Sequence, residues 1–353
     1  MRVPLIYKEA PQFGFDIGIH SIKVVQLKRA GHSTKVQGYG SCYFPRDAMS
    51  EGIVVDPAAM AKSIKPLLKQ LGYGKLTSKR VIVGLPATKL FTRTLQVPQM
   101  DSADLAQAIH YEVEQYVPVP IADLYIDYEI LNTNLEGKDP QTDVLMVAAP
   151  RAIVDSYLTL FEHLGLEIGA IEANMTAVVR ALLHSGDAGS STLIINSGSV
   201  STDLTLYDKF IPLTGSVPVG GEKLTATLMS ALGVKADQAT EILQKFGIGE
   251  SGMHDKVVAA LEPQLAQIIK EIKRIIKFYE SRGEKQQKVG SVVVSGGTAV
   301  MPGLDEYFRT KLDLPLTIAN PWKNLKIHNP PADHAGHAAE YTTAVGLALR
   351  GLL

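Results

Sequence analysis

The sequence predicts a mixed α/β protein in which two similar halves face each other across a cleft. A strand-turn-strand hairpin occurs near the N-terminus, and a second follows about 180 residues later, each opening its own run of strands and helices. A further stretch, residues 87–165, interrupts the first half with its own order of strand, helix, strand, strand and helix. We therefore expect two duplicated halves and a small inserted α+β module.

The composition restricts the classes of function. A chain of 353 residues with a formal net charge of -1 can build a large core but is a poor binder of nucleic acid through bulk phosphate neutralisation. The single cysteine, Cys42, cannot form an internal disulfide and fits a reducing compartment. Because no apolar run approaches membrane-spanning length, we expect a cytoplasmic protein that reaches a membrane only through a partner.

The first hairpin combines a glycine turn with an acidic residue at the end of its first strand. Residues 13–17 are predicted as a buried strand and residues 22–27 as its return. A turn with exposed backbone N–H groups can hold phosphate, and a carboxylate such as Asp16 can hold the Mg²⁺ of that phosphate. An ordinary hairpin with an incidental acid is the alternative. The predicted turn consists of Gly18, for which we expect a positive φ, and of Ile19, His20 and Ser21.

The rest of the first half and the insertion follow from apolar periodicity and from helix-capping residues. Pro57 suits the first turn of a helix, and Asp101 can cap another. A glycine at position 165 closes the last helix of the insertion. The predicted strands are 35–44, 81–85, 90–95, 125–131, 143–149 and 166–171, and the predicted helices are 57–71, 101–116, 150–164 and one that follows Glu172 to about 183.

A second hairpin of the same kind follows a link predicted at 185–191, with strands at 192–196 and 202–207. Small hydroxyl residues and a glycine join these strands and suit close approach to an anion. The later stretches VGGEKLT and SGGTAVMPGL place two further glycine turns beside a helix and a buried strand. Candidate ligand-binding residues of these turns are Ser197, Gly198, Ser199, Ser201, Thr202, Gly220, Gly221, Glu222, Gly296, Gly297, Thr298 and Gly303.

The remaining elements of the second half are also predicted from periodicity. A long amphipathic helix is expected from 254 to 282, where Pro263 either sets the start or causes a kink. The other predicted elements are strands at 210–217, 291–294 and 314–318 and helices at 223–232, 235–246 and 342–353.

This set of hairpins and turns resembles the actin-like ATPase superfamily, in which two duplicated ribonuclease-H-like halves close on a nucleotide. The resemblance implies ATP and Mg²⁺ as cofactors, with Asp16 as the magnesium-side acid. Residues 16–21 then match the first phosphate loop and residues 197–202 the second, while the turn at 220–222 lies on the ribose side. The late turn with Gly296, Gly297, Thr298 and Gly303 holds the adenosine.

Three further residues have both a functional and an ordinary interpretation. Glu172 matches the position where relatives place a residue that orients attacking water, and a capping or salt-bridge role is the alternative. His20 is either a phosphate ligand or a turn residue, and Lys23 either contacts phosphate or lies along the return strand.

Several stretches narrow the resemblance to the PilM family of type IV pilus assembly proteins, which is related to the cell-division protein FtsA. The stretches are DIGIHSIKVVQL, LPATKLFTRTLQVPQM, IHYEVEQYVPVPIADLYIDYEIL and VLMVAAPRAIVDSYLTLFEHLGL. The resemblance implies a cytoplasmic, ATP-binding scaffold, peripheral to the inner membrane, of a pilus or related secretion or competence platform. It would bind the short N-terminal segment of a PilN-like membrane protein beside the inserted module. Self-association is a further expectation.

The resemblance also predicts how the chain is divided into domains. Residues 1–86, 166–190 and 338–353 are expected to form the first half, residues 191–337 the second half, and residues 87–165 an SHS2-type module.

The chain departs from the superfamily pattern at positions that matter for hydrolysis. The second phosphate loop has Asn196 where an aspartate is usual, and asparagine lacks the charge that helps hold Mg²⁺. We expect Asp203 to face elsewhere. Ala173 replaces the usual proline after Glu172, and Leu243 stands where a lysine is often found. These changes predict nucleotide binding with slow or no hydrolysis, so that the chain is a weak ATPase at most.

Two other functions share the predicted fold. A small-molecule kinase would need an aspartate base near the γ-phosphate and a sugar pocket, and the chain shows no convincing base motif. A membrane-bound filament protein of the FtsA type would carry an amphipathic helix beyond the core, whereas TTAVGLALRGLL is expected to be the last helix of the fold.

Overall fold

A computed structural model describes residues 11–134, 141–183, 191–250, 252–282, 288–323, 325–329 and 336–352. The link predicted at 185–191 lies outside these residues except for Ser191, which opens a strand.

In chain order, the strands and helices are β1 (Gln12–Ile17), β2 (Ser21–Ala30), β3 (Ser33–Tyr43), β4 (Met49–Ser50), β5 (Ile53–Val54), α1 (Pro57–Lys69), β6 (Tyr73–Gly74), β7 (Arg80–Leu85), β8 (Phe91–Pro98), α2 (Ser102–Tyr116), β9 (Leu124–Asn134), β10 (Gln141–Pro150), α3 (Arg151–Leu164), β11 (Glu167–Ala173), α4 (Asn174–Leu182), β12 (Ser191–Ser197), β13 (Thr202–Asp208), β14 (Phe210–Val217), α5 (Gly221–Leu232), α6 (Ala236–Lys245), α7 (His254–Arg282), β15 (Val289–Ser295), α8 (Leu304–Leu312), β16 (Leu316–Ile318) and α9 (Thr342–Arg350).

Two sheets that share the same order of five strands form the frame of the molecule, and the short β6 adds a sixth strand at the edge of the first. The first sheet has the order β11-β7-β1-β2-β3-β6, and the second has the order β16-β15-β12-β13-β14. In each sheet three strands are joined antiparallel as a meander, and two further strands run parallel to the first strand of that meander. This repetition confirms the predicted fold class of two duplicated α/β halves.

One face of the first sheet is covered by α1 and α3. The ring of Phe161 in α3 packs edge-on against Phe15 of β1, with ring centroids 4.9 Å apart, and Tyr157 is fully buried in the same core. The sequence had placed this helix in the inserted module. Its apolar side instead completes the core of the first half, because the inserted sheet buries its own apolar face against α2.

The other face of the first sheet is covered by α4 and by α9, the helix near the C-terminus. Gly14 lets α9 approach β1 closely, since a Cβ at this position would lie 2.6 Å from the backbone N of Ala348. Gly346 does the same between α9 and α4. The chain thus returns to its first half after building the second.

The segment before α9 also packs on the first half, although it was expected to belong to the second. Lys326 donates its backbone N–H to the carbonyl of Thr34 and accepts from the N–H of Val36, both at 2.9 Å. Trp322 is buried against Tyr39 and Tyr341. The aromatic contacts hold this segment at the edge of the first sheet, where β3 offers unpaired backbone groups.

The inserted module is a three-stranded antiparallel sheet in the order β8-β10-β9 with α2 on one face. The predicted cap is present, because Asp101 accepts hydrogen bonds from the backbone N–H groups of Ala103 and Asp104 at 2.9 Å. Tyr116 at the end of α2 is exposed and lies under the guanidinium of Arg93.

Helices α5 to α8 and the second sheet form the largest core. Helix α7 runs unbroken from His254 to Arg282 with Pro263 inside it, so this proline does not set the start of the helix. The predicted apolar stripe of α7 is largely buried, including Leu261, Leu265, Ile268 and Ile272.

Substitution of Gly346 by alanine tests the close approach of α4 and α9. The new Cβ would lie 2.9 Å from Cα of Ala177 and closer still to its carbonyl. We expect Gly346→Ala to lower the free energy of unfolding in urea by about 2 kcal/mol, because the helices must move apart. Gly72→Ala is the matched control, since its Cβ would meet nothing nearer than 3.9 Å. Equal stability of the two variants would contradict the packing argument.

Candidate functional site

The two predicted hairpin turns have the same internal hydrogen bond. Gly18 donates its N–H to the carbonyl of Ser21 at 2.9 Å, and Gly198 donates to the carbonyl of Ser201 at the same distance. The expected positive φ at Gly18 is wrong, because this residue lies outside the left-handed region. Glycine is favoured there for space, since a Cβ would lie 3.1 Å from the carbonyl oxygen of Ser21.

Three candidate residues of the first half lie on one face of the first sheet. Asp16 is directly opposite Lys23 on β2, and Gly84 on β7 separates Asp16 from Glu172 on β11. Residues paired across strands present their side chains to the same face. The sheet therefore places the acid of the first turn, the lysine and Glu172 in one row.

Asp16 is the acid with the strongest electrostatic perturbation in this row. Burial raises the pKa of its carboxyl to about 6, and the charge of Lys23 offsets part of this rise. The Nζ of Lys23 donates to the hydroxyl of Ser21 at 3.2 Å, so the lysine also reaches the turn. A carboxylate that lacks a full counter-charge fits a position beside a bound cation.

The second sheet repeats this row with different residues. Asn196 lies opposite Asp203, which lies opposite Ser216, and Ser295 follows on the other side of Asn196. The expectation that Asp203 faces elsewhere is therefore wrong, since it shares a face with Asn196. Burial raises the pKa of Asp203, while hydrogen bonds from the hydroxyls of Ser216 and Ser201 lower it.

Spacing in the sequence could have identified Asp203. It follows Asn196 by the same interval as Lys23 follows Asp16, seven residues in each hairpin. Because both turns have the same hydrogen bond, equal spacing places the two return-strand residues in equivalent positions. The hairpin of the second half thus has its acid on the return strand rather than on the first strand.

Three turns of the second half are joined around one carbonyl group. The carbonyl of Gly198 accepts from the N–H of Gly221 and from the hydroxyl of Thr298, both at 3.0 Å. Glu222 donates its N–H to the carbonyl of Ser199 at 2.8 Å. The structure thereby brings the second hairpin, the start of α5 and the late glycine turn together, as the sequence predicted for a ligand site.

Glycine is required at two points of this cluster. A Cβ at Gly220 would lie 2.6 Å from the carbonyl of Ser199, and Gly296 has a φ of +92°, in the left-handed region. Gly297 follows directly and opens a short 3₁₀ turn. The cluster places the N-terminus of α5, where backbone N–H groups favour anions, beside the second hairpin.

Other candidate residues make hydrogen bonds that stabilise the fold, or they lie outside the cluster. The hydroxyls of Ser197 and Thr202 are 3.1 Å apart and buried, and Thr202 donates to the carbonyl of Val219. Gly303 has a φ of +81° at the start of α8, where a Cβ would meet the backbone of Gly249.

Glu172 is held by two arginines. Its Oε1 accepts from Arg180 at 2.6 Å, and its Oε2 accepts from Arg180 at 2.8 Å and from Arg350 at 2.6 Å. The carboxylate is buried, and Arg180 also donates to the carbonyl of Gly346. This geometry favours the salt-bridge interpretation of Glu172, because both oxygens are engaged in fixing α4 and α9 to β11.

His20 joins the first hairpin to the second half. Its Nε2 lies 2.5 Å from Oε1 of Glu222, near the N-terminus of α5. The sequence named both residues as candidates but did not predict that they meet, since they are about 200 residues apart. The contact shows that the first hairpin faces the turn cluster of the second half.

Comparison with known proteins identifies the class to which this fold belongs. A solved structure described as a PilM-PilN type IV pilus biogenesis complex superposes with a TM-score of 0.85 at 22% identity and covers 98% of this chain and 99% of that chain. MreB5 of Spiroplasma citri bound to ADP matches with a TM-score of 0.53 at 11% identity and covers 96% of this chain and 95% of that chain. These likenesses establish an actin-like ATPase fold.

Sequence comparison identifies the family of this chain within the class of actin-like ATPase folds. The cell-division protein FtsA of Streptococcus pneumoniae serotype 2 is 22% identical over 379 residues, which cover 96% of this chain and 82% of the relative. The family model described as type IV pilus assembly protein PilM matches residues 14–352. The chain belongs to the PilM family, within the FtsA-like branch. None of the helices among the described residues is both long and apolar enough to cross a membrane.

The pH dependence of stability tests the environment of Asp16. The native pKa of about 6 exceeds the ordinary 3.8, so the native state holds the proton more tightly, and ionisation destabilises it as pH rises through 6. A shift of this size corresponds to about 3 kcal/mol, which partial exposure reduces to about 2 kcal/mol. We expect the free energy of unfolding of Asp16→Asn, measured in urea at about pH 8, to exceed that of wild type by this amount. At about pH 4.5 the difference between the two proteins should be less than half as large. A pH-independent difference would contradict this account.

Removal of the Glu172 carboxylate tests its structural role. We expect Glu172→Gln to lower the free energy of unfolding by about 3 kcal/mol, because two arginines then lose a charged partner. Glu167→Gln is the control on the same strand, since Glu167 pairs with Arg80 at 3.2 Å in an exposed setting and should cost less than about 0.5 kcal/mol. Similar losses of unfolding free energy in both variants would contradict the structural role of Glu172.

Proposed function

We propose that this protein is a nucleotide-binding scaffold of a pilus or related secretion or competence inner-membrane platform, with Mg-ATP in the cleft and a partner peptide beside the inserted module. The observation that supports this most is the pair of hairpins with the same closing hydrogen bond, one in each half. Such paired turns can clasp the phosphates of a nucleotide from both sides. The family assignment supplies the pilus context.

The phosphate chain would lie between the two hairpins. Backbone N–H groups at the turn 18–21 and the turn 197–202 would bind it, with the charge of Lys23 nearby. The turn at Gly220, Gly221 and Glu222 would serve the ribose side, and the turn at Gly296, Gly297 and Thr298 the adenosine. Support comes from MreB5, a protein of the same fold that is described as bound to ADP.

Magnesium fits the acids of the two rows. Asp16 lies at the end of β1, and Asp203 lies at the equivalent end of the second hairpin, opposite Asn196. Burial raises the pKa of both carboxyls, and a cation bound beside them would favour their charged forms. When bound, Mg²⁺ would neutralise phosphate charge, and these carboxylates would orient it, directly or through water.

Slow turnover follows from the engagement of Glu172. A residue that orients attacking water needs a free oxygen within hydrogen-bonding reach of that water. Both oxygens of Glu172 accept from Arg180 and Arg350 instead. We therefore infer that ATP acts by shifting the closure of the two halves and the affinity for a partner, with little hydrolysis.

The partner would be a PilN-like membrane protein bound through its short cytoplasmic N-terminal segment. The support is the likeness to a structure described as a PilM-PilN complex and the family assignment. The chain also offers an exposed sheet edge at β9, with Tyr125 and Ile130 exposed, beside α3. Short peptides are commonly recognised at such edges and grooves. The protein would thus sit at the membrane through its partner.

A filament function of the FtsA type would need a helix free to bind lipid. Helix α9 does not supply one, because residues 342–348 are all buried between the first sheet and α4. The relationship to FtsA therefore supports the shared fold, and α9 adds no support for a shared membrane attachment.

Isothermal titration with Mg-ATP tests the nucleotide site. We expect wild type to bind with a dissociation constant in the micromolar range, about -8 kcal/mol, and Asp16→Ala to weaken binding at least tenfold because a magnesium-side acid is lost. Asp56→Ala is a control, since Asp56 only caps α1. Phosphate release should stay below about 0.1 per minute, far slower than ordinary enzymes.

The outcomes separate the parts of the proposal. Absence of Mg-ATP binding in wild type would remove the nucleotide role, while rapid phosphate release without any partner would remove the scaffold mechanism. Titration of a PilN-type N-terminal peptide, with and without Mg-ATP, then tests whether the nucleotide changes partner affinity.

A further inference from the structure

We propose that His20 and Glu222 form a latch that holds the cleft closed in the nucleotide-free protein and that an entering nucleotide must open. The inference rests on the proposed nucleotide-binding function. It assigns to these two side chains a role in the rate of nucleotide entry, in addition to the ribose-side position proposed for the turn that contains Glu222.

The position of the contact supports a latch. His20 lies in the turn of the first hairpin, and Glu222 lies one residue after the start of α5 in the second half. Their side chains meet at 2.5 Å, so the contact joins the first hairpin to the start of α5. A phosphate chain clasped by both hairpins would occupy the same passage, so the latch and the ligand compete for it.

The contact also differs from the other ion pairs of the described residues in the parts of the molecule that it joins. Among the ion pairs of the described residues, only His20–Glu222 joins a turn of the first sheet to the second half, since the others lie within one half or within the inserted module and its flank. Breaking it therefore removes the one ion pair of the described residues between the first hairpin and the second half.

The backbone anchors both ends of the latch. The carbonyl of His20 accepts from the N–H of Phe44 at 3.2 Å, and the N–H of Glu222 donates to the carbonyl of Ser199 at 2.8 Å. The side chains can separate while their backbones stay in place, so the latch can open without unfolding either turn.

The contact is partly open to solvent, which makes it reversible. The Glu222 side chain retains about a third of its exposure, so water can replace the contact when the two side chains separate.

The experiment compares His20→Gln, Glu222→Gln and the double variant with wild type. A Cys42→Ser background carries spin labels at Lys62→Cys on α1 and Ser230→Cys on α5, both exposed positions, one in each half. Glu241→Gln, which breaks an exposed pair with Lys245 within α6, is the control. The first readout is the distance distribution between the labels without nucleotide. The second is the association rate constant of methylanthraniloyl-ATP in stopped flow.

We expect the distribution to broaden towards longer distances in all three latch variants and to stay unchanged in Glu241→Gln. The association rate constant should rise about fivefold in each single variant, with no further rise in the double variant, because either change opens the same latch. An unchanged distribution in all variants overturns the latch, and so do effects on association that add in the double variant.

The two readouts separate this inference from the function on which it rests. Failure of wild type to bind the ATP analogue would count against the nucleotide site alone, since the label distances are measured without ligand and still report whether the contact closes the cleft. Broadened distances with no binding would leave a latch that closes an interdomain cleft for another ligand, and the nucleotide-entry role would then be overturned.

Discussion

The close approach of α9 to the first sheet is the constraint on which the rest of the structure depends. Gly14 and Gly346 remove the side chains that would hold this helix away from β1 and from α4. The helix in turn brings Arg350 to Glu172, so that the carboxylate joins β11, α4 and α9. A chain that builds one half, then the other, is thereby tied back to its first half at its last helix.

The two halves have the same backbone fold, but their hairpins carry charged residues at different positions. In the first hairpin the acid is on the first strand, opposite a lysine, whereas in the second the acid is on the return strand, opposite an asparagine. The backbone turn conserves its hydrogen bond in both cases. Duplication of the fold therefore preserves the hydrogen-bonded turn that the proposed function uses for phosphate, while the carboxylates proposed for Mg²⁺ lie on different strands in the two copies.

Under the proposed function, this distribution would favour nucleotide binding over nucleotide hydrolysis. The backbone groups that would hold phosphate are ordered by the hydrogen bonds around the carbonyl of Gly198, before any ligand enters. The residue in the position for water activation is engaged in an ion-pair network instead. A site built in this way suits a protein whose conformation, rather than its product, is read by a partner.

The sequence by itself determined the elements, the duplication and most candidate turns. Apolar periodicity, glycine turns and caps such as Asp101 are local, so they are visible without the fold. Even Asp203 could have been identified from equal spacing in the two hairpins. The family resemblance was likewise present in continuous stretches of the chain, and the family model confirms it.

Only the tertiary structure decided which residues meet. The assignment of α3 to the core of the first half, the two arginines on Glu172 and the contact of His20 with Glu222 all join positions far apart in the chain. A local pattern shows that a helix has an apolar face or that a residue is charged, but several surfaces can satisfy that face or charge. The choice among them is made by how the two sheets and α9 close-pack, which no single stretch specifies.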